Sequence, residues 1–390
     1  MTFGMLRGII KVSITREEFN MLKRLEVENY KGFSKRVVWD LSARDYSYNR
    51  MIVKNGIVNK SIIYGKNGIG KSSLGLALFD ITFHLTDKNR IALNYLLNYK
   101  NLTALENDVS FKYVFQFGND EIEYDYRKQD QDNLLWEKLT INGKLMLDYD
   151  YFDENNQYIN DELQNGLNIE LLDNKLSVLK YIYRNTPTNT VPALTDMMVF
   201  CENMLWYRSL SEGNVYAGFT NGSTNLIEML YQSGKLKEFQ KFLKENGLNY
   251  NLKFESINGI HELFAVFKDG EKENKTPFMS IASTGTRALF LFFTWKIMAF
   301  NQISFLFIDE FDAFFHFEAS EVIIKTLNKM DGFQSAVTTH NTSLMTNTLT
   351  RPDCCYVMTD NKISSLCKAT DRELREGHNL EKLYKGGEFV

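Results

Sequence analysis

The sequence predicts an α/β fold on a mixed central sheet, and three observations carry the prediction. A glycine-rich loop, Gly65-Lys66-Asn67-Gly68-Ile69-Gly70-Lys71-Ser72, lies between an apolar run (Ser61-Ile62-Ile63-Tyr64) and a stretch from Ser73 to Thr86. In that stretch Leu74, Leu76, Leu78, Phe79 and Phe83 recur near helical spacing. Far downstream, Phe305-Leu306-Phe307-Ile308 and Ser335-Ala336-Val337 are runs that end in polar residues, the pattern of strands buried on both faces. Between these regions Val109, Phe111, Tyr113, Phe115 and Phe117 alternate with polar positions, as antiparallel strands do.

Composition bounds the answer. A chain of 390 residues with 44% hydrophobic and 14% aromatic content can bury a sizeable core, which argues against disorder. The net charge of −4 gives no global positive field, so charge leaves nucleic acid open as a partner without indicating it. Cys201, Cys354, Cys355 and Cys367 form no C-x-x-C pair and read as reduced thiols of a cytoplasmic protein. The run from Ala288 to Phe300 is too short to span a bilayer and reads as a core helix, and no membrane partner is expected.

In chain order, four segments are expected. Residues 1–20 read as an over-called extension, with Met21 as the true start; the competing reading is a peripheral strand. Residues 21–150 form a lobe with strands at 22–29, 36–40 and 61–64, the glycine-rich loop, and antiparallel strands joined by turns at Gly118-Asn119-Asp120 and Asn142-Gly143. Residues 151–275 read as a mainly helical insertion, with helices near 173–184, 192–212 and 223–245 and a strand pair at 251–256 and 261–268. Residues 276–390 form a second lobe with a helix over 287–300, a strand ending at Asp309-Glu310, a helix over 318–330, and a strand ending at His340.

The loop fits G-x-x-x-x-G-K-[ST] without a mismatch. Its N–H groups, those of Lys66, Asn67, Gly68, Ile69 and Ser73 included, suit a phosphate at a helix N-terminus; Lys71 reaches the outer phosphates and Ser72 suits Mg²⁺. Asp309, at the tip of an apolar strand, is placed to hold Mg²⁺ opposite Ser72, and Glu310 to act as general base toward water. His340 gains weight from its strand-tip position; His316 lies near Glu310 in sequence. Ser283-Thr284-Gly285-Thr286 reads locally as a helix N-cap, and its place just before the Asp309 strand makes it a second phosphate-friendly element. Asn328-Lys329-Met330-Asp331 matches a guanine-recognition pattern but ends an amphipathic helix, so ATP is expected rather than GTP.

With GKNGIGKS, SIASTGTR, FLFIDEFDAFFH and VTTHN in this order, the chain resembles the ABC-type ATPase heads of the SMC, Rad50 and OLD group. It is most similar to the AAA-15/AAA-21 ATPases of abortive-infection loci, of the RloA and AbiLi type, whose tail Arg372 to Tyr384 resembles. The resemblance implies a phosphate-loop NTPase fold of ABC-head type. It also implies a head-to-tail pair of copies, with Ser283, Gly285 and Thr286 meeting the γ-phosphate in trans, Arg287 assisting, and Asp312 communicating across the pair. No Q-loop glutamine is assignable, Gln116 being the nearest candidate, and Thr284 and Thr286 depart from the LSGGQ signature. The implied role is an ATP-hydrolysing subunit that controls an adjacent-gene, Toprim-like nuclease in anti-phage defence. The alternative is a DNA-repair ATPase of Rad50 or RecF type.

Overall fold

The computed structural model describes residues 20–88, 97–104, 108–167, 169, 173–187, 190–209, 215–220 and 225–389. The reading of residues 1–20 as an extension falls outside them except at Asn20, where the first strand already begins.

The chain opens with β1 (Asn20–Glu28), β2 (Val37–Asp40), a short ribbon of β3 (Val53–Lys54) and β4 (Ile57–Val58), then β5 (Lys60–Tyr64) and helix α1 (Lys71–Leu85). Next come β6 (Val109–Phe117), β7 (Asp120–Lys128), β8 (Leu134–Ile141), β9 (Lys144–Asp150) and β10 (Gln157–Ile159). The middle of the chain supplies β11 (Met204–Arg208), β12 (Tyr216–Gly218) and a three-stranded sheet of β13 (Leu252–Ile257), β14 (Ile260–Asp269) and β15 (Lys272–Pro277). The last part carries β16 (Phe305–Asp309), β17 (Gln334–Thr339), β18 (Cys355–Thr359) and β19 (Lys362–Ser365).

Two seven-stranded sheets form the frame. One is antiparallel throughout, ordered β10-β9-β8-β7-β6-β1-β2. The other runs β12-β11-β16-β17-β5-β18-β19, with β11, β16, β17, β5 and β18 parallel and an antiparallel strand at each edge. The period-2 alternation of a strand divides the core between the two faces of this second sheet. Phe305 and Phe307 of β16 join a cluster with α1 and the antiparallel sheet, while Leu306 and Ile308 join another with the helices of the second lobe.

Three expectations need correction. Residues 192–212 are not one helix: a helix ends at Glu202 and β11 follows at once. Met204 to Tyr207 are buried, with Leu205 and Tyr207 in one cluster and Met204 and Trp206 in the other, so tertiary burial overrides the apolar helical reading. Residues 223–245 break at Gly234, whose φ of +67° ends Leu226–Ser233 before Leu236–Glu245 begins. Strands β15, β18 and β19 were not anticipated, because β15 (KENKTP) is mostly polar and β18 to β19 turn through Asp360-Asn361. The guanine-like pattern does end a helix: Asn328 donates to the Leu349 carbonyl and Asp331 pairs with Lys54. All four cysteines are buried, and among the described residues no helix is long and apolar enough to cross a membrane.

α1 is fastened to the antiparallel sheet by buried polar groups. Asp80, with no exposed surface, accepts hydrogen bonds from Tyr126, Tyr99 and Lys128. One turn on, His84 meets the Tyr124 hydroxyl at 2.5 Å, and Tyr124 donates to Glu137. Glu137, also without exposed surface, accepts further bonds from Tyr151, Ser177 and the Val178 N–H. Burial alone would raise the Glu137 carboxyl; the His84 imidazole 3.7 Å away and the bonds from Tyr124 and Tyr151 reverse the sign and hold it at about 2. Burial pushes the His84 imidazole below its ordinary value, which keeps it neutral at pH 7.

Two predictions follow from this clamp. Asp80→Ala removes the carboxylate that pairs with buried Lys128 and should cost about 3–5 kcal/mol in urea unfolding, with part recovered by adding Lys128→Met. Both His84 and Glu137 have folded values below their unfolded ones, so the unfolded chain takes up protons first as pH falls. Stability should decline as pH drops below 6.5 and again from 4.5 toward about 2. Glu137→Gln should flatten the second decline, as read from urea midpoints across pH.

Candidate functional site

Four parallel strands end side by side around the glycine-rich loop. β17 lies between β5, which feeds the loop, and β16, and β11 flanks β16 on the other side. The tips therefore present the loop, His340, Asp309-Glu310 and Arg208 along one sheet edge. This edge, at the carboxyl ends of parallel strands, is where open α/β sheets bind ligands.

The loop has its conformation from glycine. Gly70 has φ of +105°, and a Cβ there would lie 2.7 Å from the Phe33 ring. Lys71, though 6% exposed, donates to the Gly65 carbonyl at 2.9 Å and the Lys66 carbonyl at 3.0 Å, and sits 2.9 Å from His340 Nε2. Burial lowers its ammonium from the usual value, with Asp309, Glu310 and Asp312 acting against that shift. Burial also lowers His340, helped by the Lys71 charge. The imidazole is thus neutral at pH 7 and accepts from Lys71 through Nε2.

Ser72 Oγ donates to Asp309 Oδ2 at 2.7 Å, across 237 residues of sequence. Thr338 Oγ1 donates to Asp309 Oδ1 at 2.8 Å and accepts the Glu310 N–H at 2.7 Å. Asp309 has no exposed surface; burial raises its carboxyl, and the Ser72 and Thr338 bonds oppose that rise. A buried carboxylate with hydroxyl partners, 2.7 Å from a serine oxygen, is a hard-oxygen pair that suits Mg²⁺ completed by phosphate and water. Glu310 has φ of +50°, a left-handed conformation uncommon for a residue with a side chain. Thr338 holds it there through the Glu310 N–H and through its own carbonyl, which accepts from Phe311 N. Asp312 accepts from Thr339 Oγ1 at 2.6 Å.

The remaining sequence-predicted residues lie elsewhere. Ser283 caps the helix Thr284–Met298, accepting from Thr286 N and lying 2.9 Å from the Thr286 hydroxyl. Thr286 is 1% exposed, so its side chain faces inward while Ser283 faces out. Arg287 is engaged by the carbonyls of Met279 and Ala282. Gly285 packs on the turn after Glu310: a Cβ there would lie 2.7 Å from the Phe314 carbonyl oxygen. His316 caps the helix Phe317–Asn328 by position and lines a hollow of about 670 Å³ with Ser283 to Thr286. A separate cleft of about 560 Å³ is lined by Ser72, Ser73, Asp309, Arg208, Lys31 and Lys100, and the two hollows share no lining residue.

No Q-loop glutamine is assignable from the sequence, and Gln116 is its nearest candidate. Gln116 pairs with Glu121 in the antiparallel sheet, and its amide donates to the Gly118 carbonyl. The strand tip next to Asp309 holds Arg208, whose Nη2 and Nε lie 2.7 and 3.0 Å from Glu310 Oε2. Sequence reading missed Arg208, Thr338 and Thr339. The signal was present in Met204-Leu205-Trp206-Tyr207-Arg208, an apolar run with a charged tip like Phe305 to Asp309.

No protein-family model and no curated protein sequence matches the chain. Among solved structures it is similar to an SMC head bound to the C-winged helix domain of ScpA, at 14% identity and TM-score 0.46, covering 88% of this chain and 96% of that one. It is also similar to the SMC head domain of Thermotoga maritima (14% identity, TM-score 0.41, 88% and 97% covered). A third match is the recombination mediator RecF with ATP (12% identity, TM-score 0.39, 90% and 100% covered). The mainly parallel central sheet, the glycine-rich loop that follows one of its inner strands and the antiparallel sheet beside it are the α/β fold on a mixed central sheet that the sequence predicts.

Thr338 is the joint between the two acids. Thr338→Val keeps the shape but removes a donor to Asp309 and the acceptor of the Glu310 N–H. It should cost about 1–3 kcal/mol of stability in urea unfolding, with Thr338→Ser restoring most of it.

Proposed function

We propose that the chain binds ATP with Mg²⁺ and hydrolyses it to ADP and phosphate. The observation that carries this reading is the convergence of Lys71, Ser72, Asp309, Glu310 and His340, drawn from three strand tips, on one loop. Lys71, now held by backbone carbonyls, would exchange them for phosphate oxygens. Ser72 and Asp309 would hold Mg²⁺, which supplies charge neutralisation of the phosphates. Glu310 would take a proton from water as the water oxygen bonds to the γ-phosphorus and the bond to the β–γ bridging oxygen breaks. His340, neutral and beside Lys71, would orient that water or the γ-phosphate.

We further propose that two copies pair head to tail. The hollow at Ser283 to Thr286 is separate from the loop cleft, so a phosphate in one copy would meet Ser283 and Gly285 of the other, with Asp312 at the seam. The finer role, a cytoplasmic subunit that licenses a nuclease effector in anti-phage defence, rests on the sequence resemblance.

The test is a pair of variants. Lys71→Ala should abolish nucleotide binding by calorimetry. Glu310→Gln should bind ATP yet turn over roughly 10²–10⁴-fold more slowly, and should accumulate as an ATP-dependent dimer in light scattering. Unchanged turnover in Glu310→Gln would remove Glu310 as the base. For the partner, copurification with the product of a neighbouring gene would favour defence, and ATP-stimulated, salt-dependent DNA binding would favour repair.

A further inference from the structure

Arg208 is a charged residue of the cleft that touches both acids and to which nothing above gives a role. It ends β11 in register with Asp309 of β16. Its guanidinium grips one oxygen of Glu310 at 2.7 and 3.0 Å and lies 3.6 Å from Asp309 Oδ2, the oxygen that also accepts from Ser72. Among the described residues it is the cation within 4 Å of both acids, while the Lys71 ammonium is hydrogen-bonded to the Gly65 and Lys66 carbonyls and to His340.

The backbone on both sides of this pair is fixed. The Ser209 N–H donates to the Asp309 carbonyl, and Thr338 holds Glu310 in its left-handed conformation. Only side chains are left to move. The Arg208 side chain keeps 29% of its surface exposed and Glu310 18%, while Asp309 has none. The guanidinium also lines the 560 Å³ cleft beside Ser72 and Ser73, the first turn of α1. A planar fork with several donors binds phosphate oxygens as well as it binds carboxylate. A triphosphate seated on the loop would compete with Glu310 for it.

We propose that Arg208 is an exchange latch. With no triphosphate in the cleft it clamps Glu310 and withholds that carboxylate from water. With a triphosphate seated it moves to the terminal phosphate oxygens and releases Glu310 as base. Arg208 is thus a positioning residue toward Glu310 and the residue that distinguishes ATP from ADP. The proposal rests on the ATP-hydrolysis reading, and the experiment separates the two.

Affinities for ADP and for the non-hydrolysable analogue AMP-PNP, both with Mg²⁺, are measured by calorimetry on the full chain and its variants. Arg208→Gln should leave ADP affinity within about twofold and weaken AMP-PNP by roughly tenfold or more, the size of a lost charge-assisted bond. Arg208→Lys, which keeps the charge, should restore part of the preference for triphosphate. Glu310→Gln frees the latch, so it should tighten AMP-PNP several-fold in the wild-type background and leave it unchanged in the Arg208→Gln background.

An equal effect of Glu310→Gln in both backgrounds would overturn the latch, as that would be simple repulsion between carboxylate and phosphate. Equal loss of ADP and AMP-PNP in both Arg208 variants would also overturn it, showing a structural role. If the wild-type chain binds neither nucleotide, the hydrolysis reading fails and the latch falls with it.

Discussion

The contact between Ser72 and Asp309 sets the geometry of everything else in the cleft. It joins two residues 237 apart in sequence, and it forms because β17 spaces β5 from β16 by one strand. The spacer strand also contributes. Its last residues, Thr338 and Thr339, supply the hydroxyls that hold Asp309, Glu310 and Asp312, and its tip supplies His340. Position and chemistry therefore come from the same short strand.

That geometry requires α1 to stay in place, and the clamp on its far side answers the requirement. Asp80 and His84 lie one turn apart on α1 and enter two polar clusters, one closed by Lys128 and the other by Glu137. Such groups are costly to bury, and apolar packing of the same volume would hold the helix as firmly. Hydrogen bonds add direction. Tyr126, Tyr99 and Lys128 converge on one carboxylate, so α1 can neither rotate nor slide without breaking buried hydrogen bonds. Under the proposed function, movement on nucleotide binding would then fall to the side chains facing the cleft.

What the sequence made legible follows from how locally each feature is encoded. The loop, the hairpin at Asn142-Gly143 and the strands ending at Asp309 and His340 are each written in a few consecutive residues, and each stands where it was read. β11 was lost because Met204 to Tyr207 follows an apolar helix with no glycine or proline between, so periodicity ran the two together. Arg208 was lost with it. The threonines were passed over for a different reason: their role depends on which strand lies beside them, and strand order is a tertiary fact. Gln116 matches by residue type alone, and its amide is spent on the turn of its own hairpin.

The two hollows are linked through one turn. Glu310 stands in a left-handed conformation at its start, and the Phe314 carbonyl at its end packs against Gly285 closely enough that a single methyl group would intrude. Asp312, between them, is tied to Thr339 of the spacer strand. Packed contacts of this kind shift between discrete arrangements rather than bending continuously. In the proposed pair, a change at Glu310, such as loss of its arginine, would reach the cap of the helix Thr284–Met298, and a partner copy pressing on that cap would act back on Glu310. Such coupling is reciprocal: whatever free energy the occupied cleft lends to pairing, pairing returns to the occupied cleft.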